Sequence, residues 1–171
     1  MVFLTCKLEP VLLDPKEKMV YHLNTIFGIK DLTPDGFFDN VTSEYSRRTG
    51  RIKNFFIGSN LFATLRKDGG MAITIFAAKY LLRYASFKQN CVIASDEAIP
   101  FVSKGKSLFC KHVKWCGSNI IIGSDVAIIN NESDVIAVGK SMCHSNLIMK
   151  HQSSVAVKIR EGIKSSKEEY N

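Results

Sequence analysis

One stretch constrains this chain more than any other: Ser95-Asp96-Glu97-Ala98-Ile99-Pro100-Phe101-Val102-Ser103-Lys104-Gly105-Lys106, running on into Ser107-Leu108-Phe109-Cys110-Lys111-His112-Val113. Ser95 can cap a helix, with Asp96 and Glu97 in its first turn, where the helix dipole favours anions. Gly105 can take the left-handed backbone that ends a helix. From Ser107 the pattern changes to period two, with Leu108, Cys110 and His112 alternating with Phe109, Lys111 and Val113. The stretch therefore predicts a short helix, a glycine turn and a strand. Lys104 and Lys106 flank a backbone that another molecule can approach closely. That suits a phosphate chain, and it equally suits an ordinary surface loop.

A chain of 171 residues holds one domain or two small ones, and 46% hydrophobic residues are enough for a packed core. No apolar run approaches the roughly 20 residues that span a bilayer. The apolar start Val2-Phe3-Leu4 has no basic region or small-residue cleavage site, so no signal peptide is expected. The five cysteines, Cys6, Cys91, Cys110, Cys116 and Cys143, are odd in number and scattered, with no Cys-x-x-Cys. They read as reduced thiols of an intracellular, cytoplasmic protein.

The net charge of +7 favours polyanionic partners, nucleic acid first. It is unevenly spread. Residues 41–89 hold nine Lys and Arg (Arg47, Arg48, Arg51, Lys53, Arg66, Lys67, Lys79, Arg83, Lys88) against Glu44 and Asp68. That excess equals the whole net charge and points to a basic face in the middle of the chain.

Taken in order, residues 2–8 read as an edge strand. Asp14-Pro15-Lys16-Glu17 starts a helix, with Val20, Leu23, Asn24 and Phe27 at helical spacing and Gly28 as its stop. Thr33-Pro34-Asp35-Gly36 opens a turn or short helix, with Phe37 and Phe38 buried behind it. Strands are expected at 51–57, 61–66 and 71–74, then a helix capped by Thr74 and running to Tyr84. Residues 86–90 are a polar connector. The remainder is strand-rich, with 114–118 as a loop carrying Trp115, and a short helix capped by Ser145. In the final strand, 155–160, Val155, Val157 and Ile159 share one face and Lys158 and Arg160 the other. The expected organisation is a helix-and-sheet domain over 1–88, a small barrel over 89–164 and a flexible tail over 165–171.

The second half resembles a PUA domain, the small RNA-binding module of pseudouridine synthases and archaeosine transglycosylases. The resemblance rests on the stretch from Ser95 to Val102, Gly105-Lys106-Ser107-Leu108-Phe109-Cys110-Lys111 and Ile136-Ala137-Val138-Gly139-Lys140-Ser141. It also rests on Val155-Ala156-Val157-Lys158-Ile159-Arg160-Glu161-Gly162. The Val-Lys-Ile-Arg-Glu-Gly ending is similar to the end of the PUA domain of archaeosine tRNA-guanine transglycosylase. Arg48-Thr49-Gly50-Arg51-Ile52-Lys53, Leu61-Phe62-Ala63-Thr64-Leu65-Arg66 and Asp68-Gly69-Gly70-Met71-Ala72-Ile73-Thr74 resemble the unit that precedes PUA in those enzymes. The chain departs from the pattern at Gly123-Ser124, where Gly-Asp is usual and Asp125 comes one place late. It departs again at His112, where an aromatic is common.

The resemblance implies an α+β chain: an α+β pre-PUA domain followed by a β-rich PUA pseudo-barrel. It implies RNA binding, with the acceptor stem and 3′ end of tRNA as target. The candidate contacts are Lys104, Gly105, Lys106, Lys111, Lys158 and Arg160, with Arg47, Arg48, Arg51 and Lys53 meeting either tRNA or a partner. The transglycosylase's catalytic barrel needs about 250 residues, no cysteine–histidine set has zinc-ligand spacing, and no cofactor is implied. The expectation is thus a non-catalytic RNA-handling polypeptide, made apart from a catalytic transglycosylase subunit. Two alternatives stand beside it. One is an interaction module of a ribosome or modification assembly that does not touch RNA. The other is an enzyme using Cys116, His112 and Asp125 as nucleophile, base and orienter, or the pair Cys143-His144.

Overall fold

The computed structural model describes residues 14–30 and 36–165. The strand expected at 2–8, the start of the turn at Thr33-Pro34-Asp35 and residues 166–171 of the tail lie outside the described residues. Helix α1 (Pro15–Phe27) begins with Asp14 at its N-cap and Pro15 in its first turn, although the Asp14 side chain makes no capping bond. Gly28, at φ 69°, ends it and donates its N–H to the Asn24 carbonyl at 2.9 Å. Met19, Leu23 and Phe27, four residues apart, form the buried stripe. Leu23 and Phe27 are buried as expected, while Val20 is only half-buried, Asn24 is exposed and Met19 completes the stripe.

The first sheet is an antiparallel meander of four strands, not three: β1 (Val41–Tyr45), β2 (Ile52–Ile57), β3 (Asn60–Leu65) and β4 (Met71–Ile73). Strand β1 lies at the edge, and Val-Thr-Ser-Glu-Tyr leaves most of its length exposed, so its hydrophobic signal is faint. Helix α2 (Ile75–Leu81) is capped by Thr74, whose Oγ1 accepts from the Ala77 N–H at 3.2 Å. It stops short of Tyr84, and a 3-10 helix (Ala85–Asn90) forms where a polar connector was expected.

The second half is built from β5 (Cys91–Ala94), α3 (Ile99–Val102), β6 (Leu108–Phe109), β7 (Val113–Cys116) and β8 (Asp125–Ile129). These are followed by β9 (Val135–Ser141), α4 (Ser145–Ile148) and β10 (Val155–Gly162). Its sheet runs β6-β10-β9-β8-β5-β7, with β5 parallel to β8 and the other pairs antiparallel. The two end strands, β6 and β7, are consecutive in the chain. A single 3-10 turn, Cys110–His112, joins them, so the sheet curls until its edges meet in a nearly closed barrel. This turn breaks the continuous strand expected over 107–113 and moves strand character onto Lys114, Trp115 and Cys116, where a loop was expected.

Two caps also differ from expectation. Ser95 supplies its carbonyl to the Ala98 N–H, not a side-chain cap, and α4 is capped by His144 and not by Ser145.

The halves share a core. One hydrophobic cluster runs from Met19, Leu23 and Phe27 through Phe55, Phe62 and Phe87 to Cys91, Ala127, Ile129 and Val138 of the second sheet. Phe27 and Phe87 meet edge to face at 5.5 Å, and the buried Asn90 amide donates to the Phe27 carbonyl at 3.0 Å. A second cluster, including Val92, Leu108, Ile120, Val126 and Val157, fills the barrel.

Candidate nucleic-acid interface

Helix α3 ends in a Schellman motif. Gly105 N–H donates to the Val102 carbonyl at 2.9 Å, and Lys106 N–H donates to the Phe101 carbonyl at 3.1 Å. Gly105 has φ +86°, a conformation that costs glycine nothing. The motif holds Lys104 and Lys106 on either side of an exposed bend, with Phe101, 63% exposed, on the preceding turn. Gly162, at the end of β10, anchors the bend from behind: a Cβ there would lie 2.3 Å from the Ser103 carbonyl oxygen. That contact gives the final glycine of Val-Lys-Ile-Arg-Glu-Gly a physical reason.

Strand β6 is an end strand of its sheet, and the lysines gather along it. Lys106 precedes it and Lys111 follows it. Lys158 lies on β10 beside Val157, which pairs with Leu108 of β6. Lys111 and the exposed Phe109 line a concavity of about 350 Å³ with Gln152 and Ser153. Lys104, Lys106, Lys111 and Lys158 are exposed, and none has an ion-pair partner among the described residues.

Arg160 is placed differently from these lysines. A register shift after Ile159 breaks the alternation of β10. The Arg160 guanidinium then turns to the junction between the halves. Its Nη1 donates to Asp125 Oδ1 at 2.7 Å and its Nη2 to the Ile73 carbonyl. Arg66 Nη1 holds the other Asp125 oxygen at 2.6 Å, and Arg66 Nη2 donates to the Gly123 carbonyl at 3.0 Å. The Asp125 side chain is only 1% exposed. Burial pushes its carboxyl above the usual range, while Arg160, Arg66 and Lys140 pull it back. The triad joins the β3–β4 turn, β4, β8 and β10. An acid heading the wholly apolar run Val126-Ala127-Ile128-Ile129 was the sequence signal for such a lock, because a buried charge needs a partner.

The basic segment forms part of a second cationic surface. The turn between β1 and β2 is closed by the Gly50 N–H bond to the Ser46 carbonyl at 2.8 Å. Arg48 on this turn, then Arg51 and Lys53, line a groove of about 860 Å³ at the end of the meander. Lys18 and His22 of α1 and Arg66 and Lys67 of the β3–β4 turn complete it. Arg47 is exposed on the same turn outside the groove, and Lys79, Arg83 and Lys88 lie elsewhere. Lys18 and His22 were not singled out from sequence, because α1 is remote from the basic segment until the chain folds, and Lys67 figured only in the basic excess of 41–89.

The residues of the imagined catalytic sets have separate partners. His112 Nδ1 faces Ser95 Oγ at 3.4 Å, Cys116 Sγ donates to the Ser145 carbonyl, and Asp125 is held by the two arginines. Cys143 Sγ donates to the Val155 carbonyl, while His144 Nδ1 accepts from the Asn146 N–H. Burial pushes the Cys91 thiol to about 12 and the Cys110 thiol to about 11, and raises Cys116, which disfavours thiolate at neutral pH. Among the described residues no His, Cys, Asp and Glu group could hold a metal ion, and no helix is long and apolar enough to cross a membrane.

The curled sheet with α3 packed on its glycine-closed end is matched by the PUA domain family over residues 90–163. The fold of this second half is a PUA pseudo-barrel. The chain also resembles the tRNA-guanine(15) transglycosylase of Picrophilus torridus, at 31% identity over 141 residues, which cover 82% of this chain and 23% of that protein. It spans about a fifth of the length of the curated relatives it matches: 23%, 19% and 20% for three such archaeal enzymes. Solved structures share meander and PUA barrel together. A conserved PUA domain protein from Thermoplasma acidophilum superposes with a TM-score of 0.61 at 18% identity, covering 88% of this chain and 91% of that one. A hypothetical protein from Pyrococcus horikoshii gives 0.63 at 14% identity, covering 91% and 93%. At these identities the likeness concerns the fold.

Proposed function

We propose that this chain binds RNA, tRNA in particular, and acts in the cytoplasm without chemistry of its own, as the RNA-holding part of a tRNA-modification system. The observation that carries the reading is the row of four exposed lysines without ion-pair partners, Lys104, Lys106, Lys111 and Lys158, along edge strand β6 of a PUA domain. Their ammonium groups neutralise phosphates, and Gly105 lets the backbone of the acceptor end come close. Such contacts give affinity and register, not sequence readout. Arg160 is left out, because its guanidinium already serves Asp125 and Ile73. Similarity to tRNA-guanine(15) transglycosylases supports tRNA as the ligand and a transglycosylase catalytic polypeptide as the partner. Filter binding of tRNA tests the assignment. Replacing the four lysines with Ala lowers affinity and flattens its salt dependence, and unchanged binding rejects it.

A protein-binding role has one observation in its favour. Ile121, Ile122, Met142, Leu147 and Met149 are exposed on two adjoining segments, tied by Ser145 N–H to the Ile120 carbonyl and Gly123 N–H to the Ser141 carbonyl. This apolar surface is where a partner polypeptide would sit.

A further inference from the structure

The groove at the end of the meander has the chemistry of a single-strand site. Among the described residues no carboxylate lines it, and five of its cations, Lys18, Arg48, Arg51, Lys53 and Lys67, are without an ion-pair partner. The nearest acid on the β3–β4 turn, Asp68, is already engaged by Arg66 and, more loosely, by Lys140. The cations come from three elements, α1, the β1–β2 turn with β2, and the β3–β4 turn, so the charge lines a concave groove and does not merely coat a convex face. Two exposed tyrosines neighbour lining residues, and Tyr45 pairs across the strands with the lining residue Ile52. Tyr45, 47% exposed, directly precedes the lining residue Ser46. Tyr21, 60% exposed, is one helical turn from Lys18 on α1. His22 lines the groove with its Nδ1 tied to the Lys18 carbonyl at 2.8 Å, which leaves its other ring nitrogen for a ligand.

Cations that track a backbone, with flat rings on which unpaired bases stack, bind single strands with little regard to sequence. A duplex presents phosphates but no free base faces, so the tyrosines give a reason to prefer unpaired RNA. We infer that this groove is a second RNA site, distinct from the lysine row of the PUA domain, and that it holds a single-stranded segment with a base stacked on Tyr45. The inference rests on the RNA-binding reading but concerns a different surface, so the two can fail separately.

The test uses the full chain, a fluorescein-labelled uridine dodecamer and an RNA duplex of equal length. The variants are Arg48→Ala/Arg51→Ala/Lys53→Ala, Tyr45→Ala and Tyr45→Phe, with the four-lysine variant of the PUA domain in parallel and thermal melts to confirm folding. The substituted positions Tyr45, Arg48, Arg51 and Lys53 are all exposed, so the folds survive. The triple variant binds the dodecamer at least tenfold more weakly at about 0.1 M salt. Its slope of log K against log salt falls by about 2, since each single-strand phosphate contact contributes about 0.7. Tyr45→Ala loses about fivefold or more and Tyr45→Phe stays within about twofold, as stacking requires. The inference is overturned if the triple variant binds the dodecamer like the parent, if the duplex competes equally, or if Tyr45→Phe falls as far as Tyr45→Ala. A loss confined to the four-lysine variant removes the groove and keeps the PUA assignment. A loss confined to the groove variants does the reverse.

Discussion

Lys158 and Arg160 stand two residues apart on one strand and look alike in the sequence, yet the structure gives them opposite consequences. Arg160→Ala removes the bond to Asp125 Oδ1 at 2.7 Å and the bond to the Ile73 carbonyl. Breaking a buried ion pair costs about 3–5 kcal/mol. Here Arg66 still holds the carboxylate at 2.6 Å, and the Arg160 side chain is 38% exposed, so water replaces part of the loss. We expect about 2 kcal/mol. For a domain of this size that is a fall in Tm of about 4–8 °C. Lys158→Ala, on an exposed side chain without an ion-pair partner among the described residues, stays within about 0.5 kcal/mol. Thermal melts and urea titrations of both variants give the comparison, and a double-mutant cycle with Asp125→Ala should return a coupling of about 1–3 kcal/mol. Equal stability of the two variants refutes the junction lock. So does an Arg160→Ala protein of parental stability whose tRNA affinity has dropped, which would return Arg160 to the RNA surface.

Two further outcomes follow from the packing. Gly162→Ala puts a methyl 2.3 Å from the Ser103 carbonyl, so the bend behind Lys104 must shift; a stability loss of about 1–3 kcal/mol is expected in urea titrations, and a neutral substitution contradicts the contact. The thiols set an alkaline limit. Cys91 and Cys110 titrate near 12 and 11 in the fold against 9.0 in the free side chain. Their contribution to stability is therefore complete below pH 9. For the deeply buried Cys91 it falls by about 1.4 kcal/mol per pH unit as the unfolded chain ionises first, and levels off once the folded value is passed. Urea midpoints at pH 8, 9, 10 and 11 should drop more steeply for the parent than for a Cys91→Ala/Cys110→Ala variant. Parallel curves would deny the burial of these groups.

Much of the framework was legible because local chemistry and tertiary packing agree. Asp14-Pro15 and Gly28 bound α1, Thr74 caps α2, and Gly105 closes α3. The misses have physical causes. Strand β1 is an exposed edge whose pairing comes from β2 rather than from its own hydrophobicity. The 107–113 stretch alternates as a strand should, but closing the barrel needs a corner, and the turn at Cys110–His112 supplies it. Alternation also placed Arg160 beside Lys158, and only the irregularity after Ile159 frees its guanidinium to reach Asp125. The lysine row and the basic segment were visible as residues. That Lys18 and His22 of α1 close a groove over Arg48, Arg51 and Lys53 depends on a contact across the fold that no local pattern encodes.

The most direct measurement is tRNA affinity as a function of salt for the parent and for Lys104→Ala/Lys106→Ala/Lys111→Ala/Lys158→Ala. If each lysine neutralises one phosphate, the slope of log K against log salt falls by about 3 while the melting temperature holds. A variant that keeps the parental slope and affinity would show that the lysine row along β6 does not grip the RNA.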